Sequence, residues 1–157
     1  WSKAEVTTAS FSSGPLAAVG EAALRPLVER HHERLRDSSV GRLFPADPRH
    51  FAAVVDRIGD FVVEAASGAS RLVEASDYTW LRAQHFPVTI DETARNVWLA
   101  ELLATFDDLQ FPAAARAEMW NWAEALSIML INRRTMITQP RRYPLAGAAA
   151  ALRPFTA

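Results

Sequence analysis

The chain has 157 residues, half of them hydrophobic and 22% charged, with a formal net charge of −1 and no cysteine. This length fits one domain with a real core. The near-neutral balance speaks against a nucleic-acid binder, whose phosphate contacts demand a basic surface, and the lack of cysteine excludes disulfide scaffolds, zinc–thiolate sites, iron–sulfur clusters and thiol catalysis. No run of about 18 consecutive apolar residues is present, so no membrane span is expected, and the cytoplasm is the default compartment.

In chain order, residues 1–15 are rich in Ser, Thr and Ala and close on Gly14-Pro15, which reads as a loose arm. Leu16 to Leu24 forms a short first helix weakened by Gly20, and a second helix runs from about Arg25 to Arg36 with Pro26 in its first turn. Leu24, Leu27, Val28 and Leu35 mark its apolar face, and His31 and His32 fill the seam between Val28 and Leu35. Leu43-Phe44-Pro45 makes an aromatic corner. A third helix from about Asp47-Pro48 to Ala66 shows i, i+3, i+4, i+7 spacing through Phe51, Val54, Val55, Ile58, Phe61 and Val62.

A short apolar helix ends at His85, because Pro87 cannot continue it. Thr89 and Glu92 then form a capping box for a helix from about Ile90 to Leu109, whose stripe is Ile90, Ala94, Val97, Trp98, Leu102 and Phe106. A last long helix follows Phe111-Pro112 and runs to about Arg134, antiparallel to its predecessor given the short loop. Residues 137–157 form a tail with Pro140, Pro144 and Pro154 around an alanine-rich run. No strand pattern occurs, and the fold class is all-α. A histidine at a helix end, facing an indole from the next helix, suits an imidazole bound to a buried metal centre.

The segment His85-Phe86-Pro87-x-x-Ile90, followed by Arg95-x-x-Trp98-Leu99, resembles the truncated haemoglobins, the two-over-two helical globins, and most of all their group II. Upstream, Leu27-Val28-x-x-His31-His32-x-x-Leu35, the Leu43-Phe44-Pro45 corner and Phe61 with Ser67-Gly68 fit the same family, so the resemblance covers roughly Leu27 to Asn132. Val55 to Phe61 also has some group III character. The resemblance implies a haem domain over residues 16–136 with haem b (iron protoporphyrin IX) as cofactor. His85 is then the iron ligand, Trp98 walls the distal pocket, and Phe44, Val54, Ile58 and Phe61 pack on the haem. Arg82 is the candidate partner of a haem propionate.

The family's helix B tyrosine is replaced here by histidine, and no distal histidine is expected on the third helix, where Val54 and Ile58 lie over the pocket. His31 and His32 are about 100° apart on their helix. The family register favours His32 as the distal group and a count back from Phe44 favours His31; either coordinating iron directly, or both facing water beside Arg30, Glu33 and Arg34, are the alternatives. An imidazole titrates near pH 6.5 where a phenol stays protonated to about pH 10, so a distal histidine predicts pH-sensitive ligand stabilisation around neutrality. Arg95 matches the family's arginine before the tryptophan, with a pairing to Asp91 four residues earlier as the plain alternative, and Arg133-Arg134 and Arg141-Arg142 are expected to be solvated.

The implied function is binding of O₂, NO or CO, with NO-dioxygenase or peroxidase-like oxidoreductase chemistry as an extension, an unidentified electron donor and a homodimer as one oligomeric option. The competing readings are a dedicated haem enzyme using the distal histidine as acid and base on a small organic substrate, and a haem-free helical sensor or interaction domain. A tail folded over the pocket favours the former.

Overall fold

The computed structural model describes residues 15–67, 82–85 and 87–156. The N-terminal arm, the segment 68–81 that contains Gly68 and Trp80, and Phe86 lie outside the described residues. Every regular element among those described is helical: α1 (Pro15–Arg36), α2 (Pro48–Ser67), α3 (residues 82–85), α4 (Glu92–Asp108), α5 (Ala113–Leu130) and α6 (Leu145–Leu152). None of these helices is long and apolar enough to cross a membrane.

The first two expected helices are one element interrupted at Gly20, whose φ of 68° is a left-handed conformation that glycine adopts without steric cost. Pro26 therefore lies inside the helix rather than in its first turn. α1 packs on α2, α4 and α5, and Leu24, Leu27, Val28 and Leu35 are buried as the spacing required. α2 begins where Asp47 accepts from the His50 N–H at 3.0 Å, and it buries Phe51, Val55, Phe61 and Val62.

α4 starts differently from the expectation. Its N-cap is Asp91, whose side chain accepts from the Ala94 N–H at 2.8 Å, and Thr89 plays no capping part. Glu92 is turned away from a capping box because stronger donors meet it: Thr135 Oγ1 at 2.6 Å, Thr135 N–H at 3.0 Å and Arg134 Nε at 2.8 Å. α5 stops at Leu130, four residues before the expected end. Ile131 turns extended, and the N–H groups of Asn132 and Arg133 both donate to the Ile90 carbonyl, at 2.9 and 3.1 Å, instead of continuing the helix.

The C-terminal segment is part of the core. Tyr143, Ala148 and Leu152 are buried in the cluster that holds α1, α2, α4 and α5 together, and α6 packs on α4 and α5. Trp120 Nε1 donates to the Tyr143 carbonyl at 2.7 Å. The segment is also tied by charge: Glu124 accepts from Arg142 Nη2 at 2.8 Å, from the Tyr143 N–H at 3.0 Å and from Arg95 Nη2 at 3.0 Å. So Arg95 pairs with Glu124 and not with the alternative Asp91, and Arg142 on Glu124 and Arg134 on Glu92 are bound rather than solvated. Burial drives the Glu124 pKa upward, but the Arg142 hydrogen bonds, the Tyr143 N–H and the two guanidinium charges outweigh it and hold the group below its ordinary value.

Removing one member of such a set leaves the other charge buried without its partner, at a cost of about 3–5 kcal/mol. Glu124→Ala is expected to lower the unfolding free energy by an amount of that order, and the double variant Glu124→Ala/Arg95→Met to recover part of the loss, as read from urea titrations followed by far-UV circular dichroism.

Candidate functional site

The 3.6-residue period places both members of the histidine pair on the broad buried face of α1, and each is 4% exposed. The two rings then diverge. His31 crosses to α4, where its Nε2 lies 2.9 Å from the Trp98 carbonyl oxygen and its ring stands edge-on to the indole with centroids 4.8 Å apart. His32 turns back along its own helix, with Nδ1 2.8 Å from the Val28 carbonyl oxygen, and its ring meets Phe44 edge-on at 5.7 Å. A carbonyl oxygen only accepts, so the hydrogen-bonded nitrogen carries the proton in each ring. His31 is the Nε2–H tautomer and His32 the Nδ1–H tautomer, which leaves the His32 Nε2 with an unprotonated lone pair.

The alternative in which both rings face water is overturned. Arg30 and Arg34 instead close on Asp108, at 2.9 and 2.7 Å, and Arg34 also reaches Glu101 at 3.2 Å, while the imidazoles pack inward. Burial is the main cause of their low pKa values, about 3 for His31, with the neighbouring His32 adding to it, and about 4 for His32. Both rings are neutral from pH 5 to 8, so the expectation of a titration near neutrality is corrected: the protonated form would have to be desolvated inside the helix packing.

His85 ends α3 and is half-buried. The His85 carbonyl accepts from the Val88 N–H and from Asn132 Nδ2, each at 3.1 Å. Arg82, one turn earlier and exposed, lines an open groove with Val88, Thr89, Asn132, Arg133 and Arg134.

Phe44 is half-buried between His32 and Phe51, the latter 6.1 Å away. Trp98, Val54 and Ile58 are half-buried, and Phe61 is directed at Trp122 in the core with centroids 5.8 Å apart. The structure therefore joins His31, His32, Phe44 and Trp98 into one aromatic chain. The only histidine on α2 is His50, which is exposed. Sequence reasoning missed Asn132 and Phe155. An Asn just beyond a helix end is a capping signal that could have drawn attention to the first. Phe155 belongs to the tail and packs on the same buried residues as Phe44 and Trp98, a contact no local pattern announces.

A search of solved structures finds a crystal structure of phosphate-bound Hell's gate globin IV, 40% identical, covering 89% of this chain and 90% of that one, with a TM-score of 0.76. The chain is a globin of the truncated type. Neither a scan against family models nor a search of curated proteins gives a match. As a globin, the protein has an all-α fold, and the histidine pair on α1 faces the interior of that fold.

A buried histidine whose folded pKa lies below its unfolded value of about 6.5 binds its proton preferentially in the unfolded chain. The stability it supports is whole above pH 6.5 and is lost as pH falls toward the folded value. Stability is therefore expected to decline from about pH 6.5 downward, before the carboxylates protonate, and His31→Phe should flatten that decline between pH 6.5 and 4. Urea midpoints measured across this range test it; equal slopes for both proteins would contradict the assignment.

Proposed function

We propose that this globin carries haem b on His85 and that His32 serves as a proton acceptor for ligands that arrive protonated, hydrogen peroxide foremost. The residues present suit the group. Among the described residues no cluster of three or more His, Asp or Glu could hold a bare metal ion, whereas an iron already held by a porphyrin requires a single protein donor such as His85. Phe44 and Trp98 offer aromatic surface beside His32, and Arg82 and Arg133 flank the groove next to His85 as cations for the haem carboxylates. Hell's gate globin IV is described as phosphate-bound, and the same two guanidinium groups are where this chain would meet such an oxyanion.

The haem, when bound, supplies an iron with an exchangeable sixth position and the capacity to pass electrons. The protein supplies the proton handling. The observation that carries this reading is the 2.8 Å contact of His32 Nδ1 with the Val28 carbonyl, which fixes the tautomer and leaves Nε2 as an acceptor. An acceptor lone pair takes a proton from H–O–O–H or H–C≡N, but it offers nothing to the terminal oxygen of O₂, which itself accepts. Burial keeps the nitrogen unprotonated throughout the physiological range, so it meets a ligand as a hydrogen-bond acceptor. With a phenolic reductant supplying two electrons and two protons, the overall reaction converts one peroxide to two waters.

Binding of O₂, NO and CO is the second reading. It is favoured by Trp98, whose indole N–H is a donor on the edge of the same aromatic chain.

General-base assistance is worth about 10²–10⁴-fold. His32→Leu is expected to slow association of hydrogen cyanide and peroxide with the ferric protein by at least the lower of these factors, while CO association with the ferrous protein changes little. In wild type both ferric rates should be flat from pH 5 to 8. Stopped-flow absorption decides. Unchanged ferric rates in the variant, or a ferric spectrum with two histidines already on the iron, would overturn the base role.

A further inference from the structure

We infer that Asn132 is the positioning residue for the iron ligand, holding His85 by its backbone rather than by its ring. The inference rests on the reading of His85 as that ligand. α3 stops before Pro87, which cannot extend it, so its final carbonyls have no partners within the helix. Asn132, two residues beyond the end of α5, closes this gap with its whole side-chain amide. Nδ2 donates to the carbonyls of His85 at 3.1 Å and Val88 at 2.8 Å, and Oδ1 accepts from the Ile90 N–H at 2.8 Å. The Asn132 and Arg133 N–H groups complete the junction through the Ile90 carbonyl.

One primary amide has two N–H donors and one carbonyl, and here every one of them is spent on the six-residue span that carries His85. Gln carries the same amide one methylene further out, Asp keeps the acceptor and loses both donors, and Ser is too short for three contacts. The consequence is that the position and direction of the His85 Cα–Cβ bond are set by the C-terminal end of α5. Because α5 is packed in the core through Trp120, Trp122 and Leu126, the ligand is referenced to the rigid part of the molecule. The usual partner of a haem or metal histidine bonds its second ring nitrogen and is worth about 10–100-fold in affinity. Asn132 does a comparable task one covalent step further back.

The test uses the haem-loaded full chain. Asn132→Asp is expected to shift or broaden the iron–histidine stretching band in the resonance Raman spectrum of the ferrous protein, and to speed haem loss to an excess of an apoglobin acceptor by about 10-fold or more. In a His85→Gly background with imidazole supplied in solution, the axial ligand is detached from the backbone, and Asn132→Asp should then leave the iron–imidazole band unmoved. If Asn132→Asp does not fold, Asn132→Ser is read in the same way.

An unmoved band and unchanged haem loss in a folded Asn132 variant would overturn the inference alone. An equal shift in both backgrounds would also overturn it, since the residue would then act on the pocket at large. A wild-type protein that shows no iron–histidine band would remove the reading of His85 and this inference with it.

Discussion

α4 is buried on almost all sides, and it nevertheless carries three buried charges: Glu92, which Arg134 meets, Arg95 and Glu101. A lone charge in such a place is strongly unfavourable, so each must be met by an opposite charge from another element. Glu101 is met by Arg34 of α1, and Arg95 by Glu124 of α5, which in turn binds Arg142 and the Tyr143 N–H. Those requirements fix α1 on one side of α4 and the C-terminal segment on the other. The histidine pair lies on α1 one turn before Arg34, and Phe155 lies at the end of the tail. The charges on α4 thus locate the groups that surround Trp98, which projects from the same helix.

Neighbouring histidines so deep in a helical interface need separate partners. They find them in different directions, His31 across to the Trp98 carbonyl and His32 back to the Val28 carbonyl. The first bond ties α1 to α4. The second is local, so it makes no demand on any other element and leaves the outer nitrogen of His32 available. Their division of labour follows from adjacency: residues 100° apart on one helix cannot both address the same space.

Much of this was legible in the sequence because it depends on period and on special residues. The helical spacing around Leu24, Val28 and Leu35 located the buried face of α1, Pro87 located the end of α3, and the interval from His85 to Trp98 carried the family resemblance that the comparison with Hell's gate globin IV supports at 40% identity. The errors cluster where two local solutions compete. Thr89 and Asp91 both precede the start of α4, and the carboxylate took the cap while Glu92 found Thr135 and Arg134. Arg95 had an acidic residue four positions before it, but a buried partner from α5 outweighs an exposed neighbour on the same helix. The end of α5 depends on the Ile90 carbonyl, some forty residues away, and no pattern within the helix encodes that.

If His32 is the distal group, as proposed, the exchange of a phenol for an imidazole changes the sign of the interaction more than its pH dependence. A phenolic hydroxyl both donates and accepts, so it adjusts to whichever ligand is bound. A neutral imidazole has one donor and one acceptor at fixed positions, and the Val28 carbonyl engages the donor. What His32 presents beyond its own helix is a lone pair alone. On that reading, a ligand that needs a donor would look to Trp98, on the neighbouring helix, whereas one that brings its own proton would find an acceptor in His32. Two ligand classes would therefore be sorted by two residues of the same aromatic chain, and the sorting is written into one helix carbonyl rather than into the charge of the pocket.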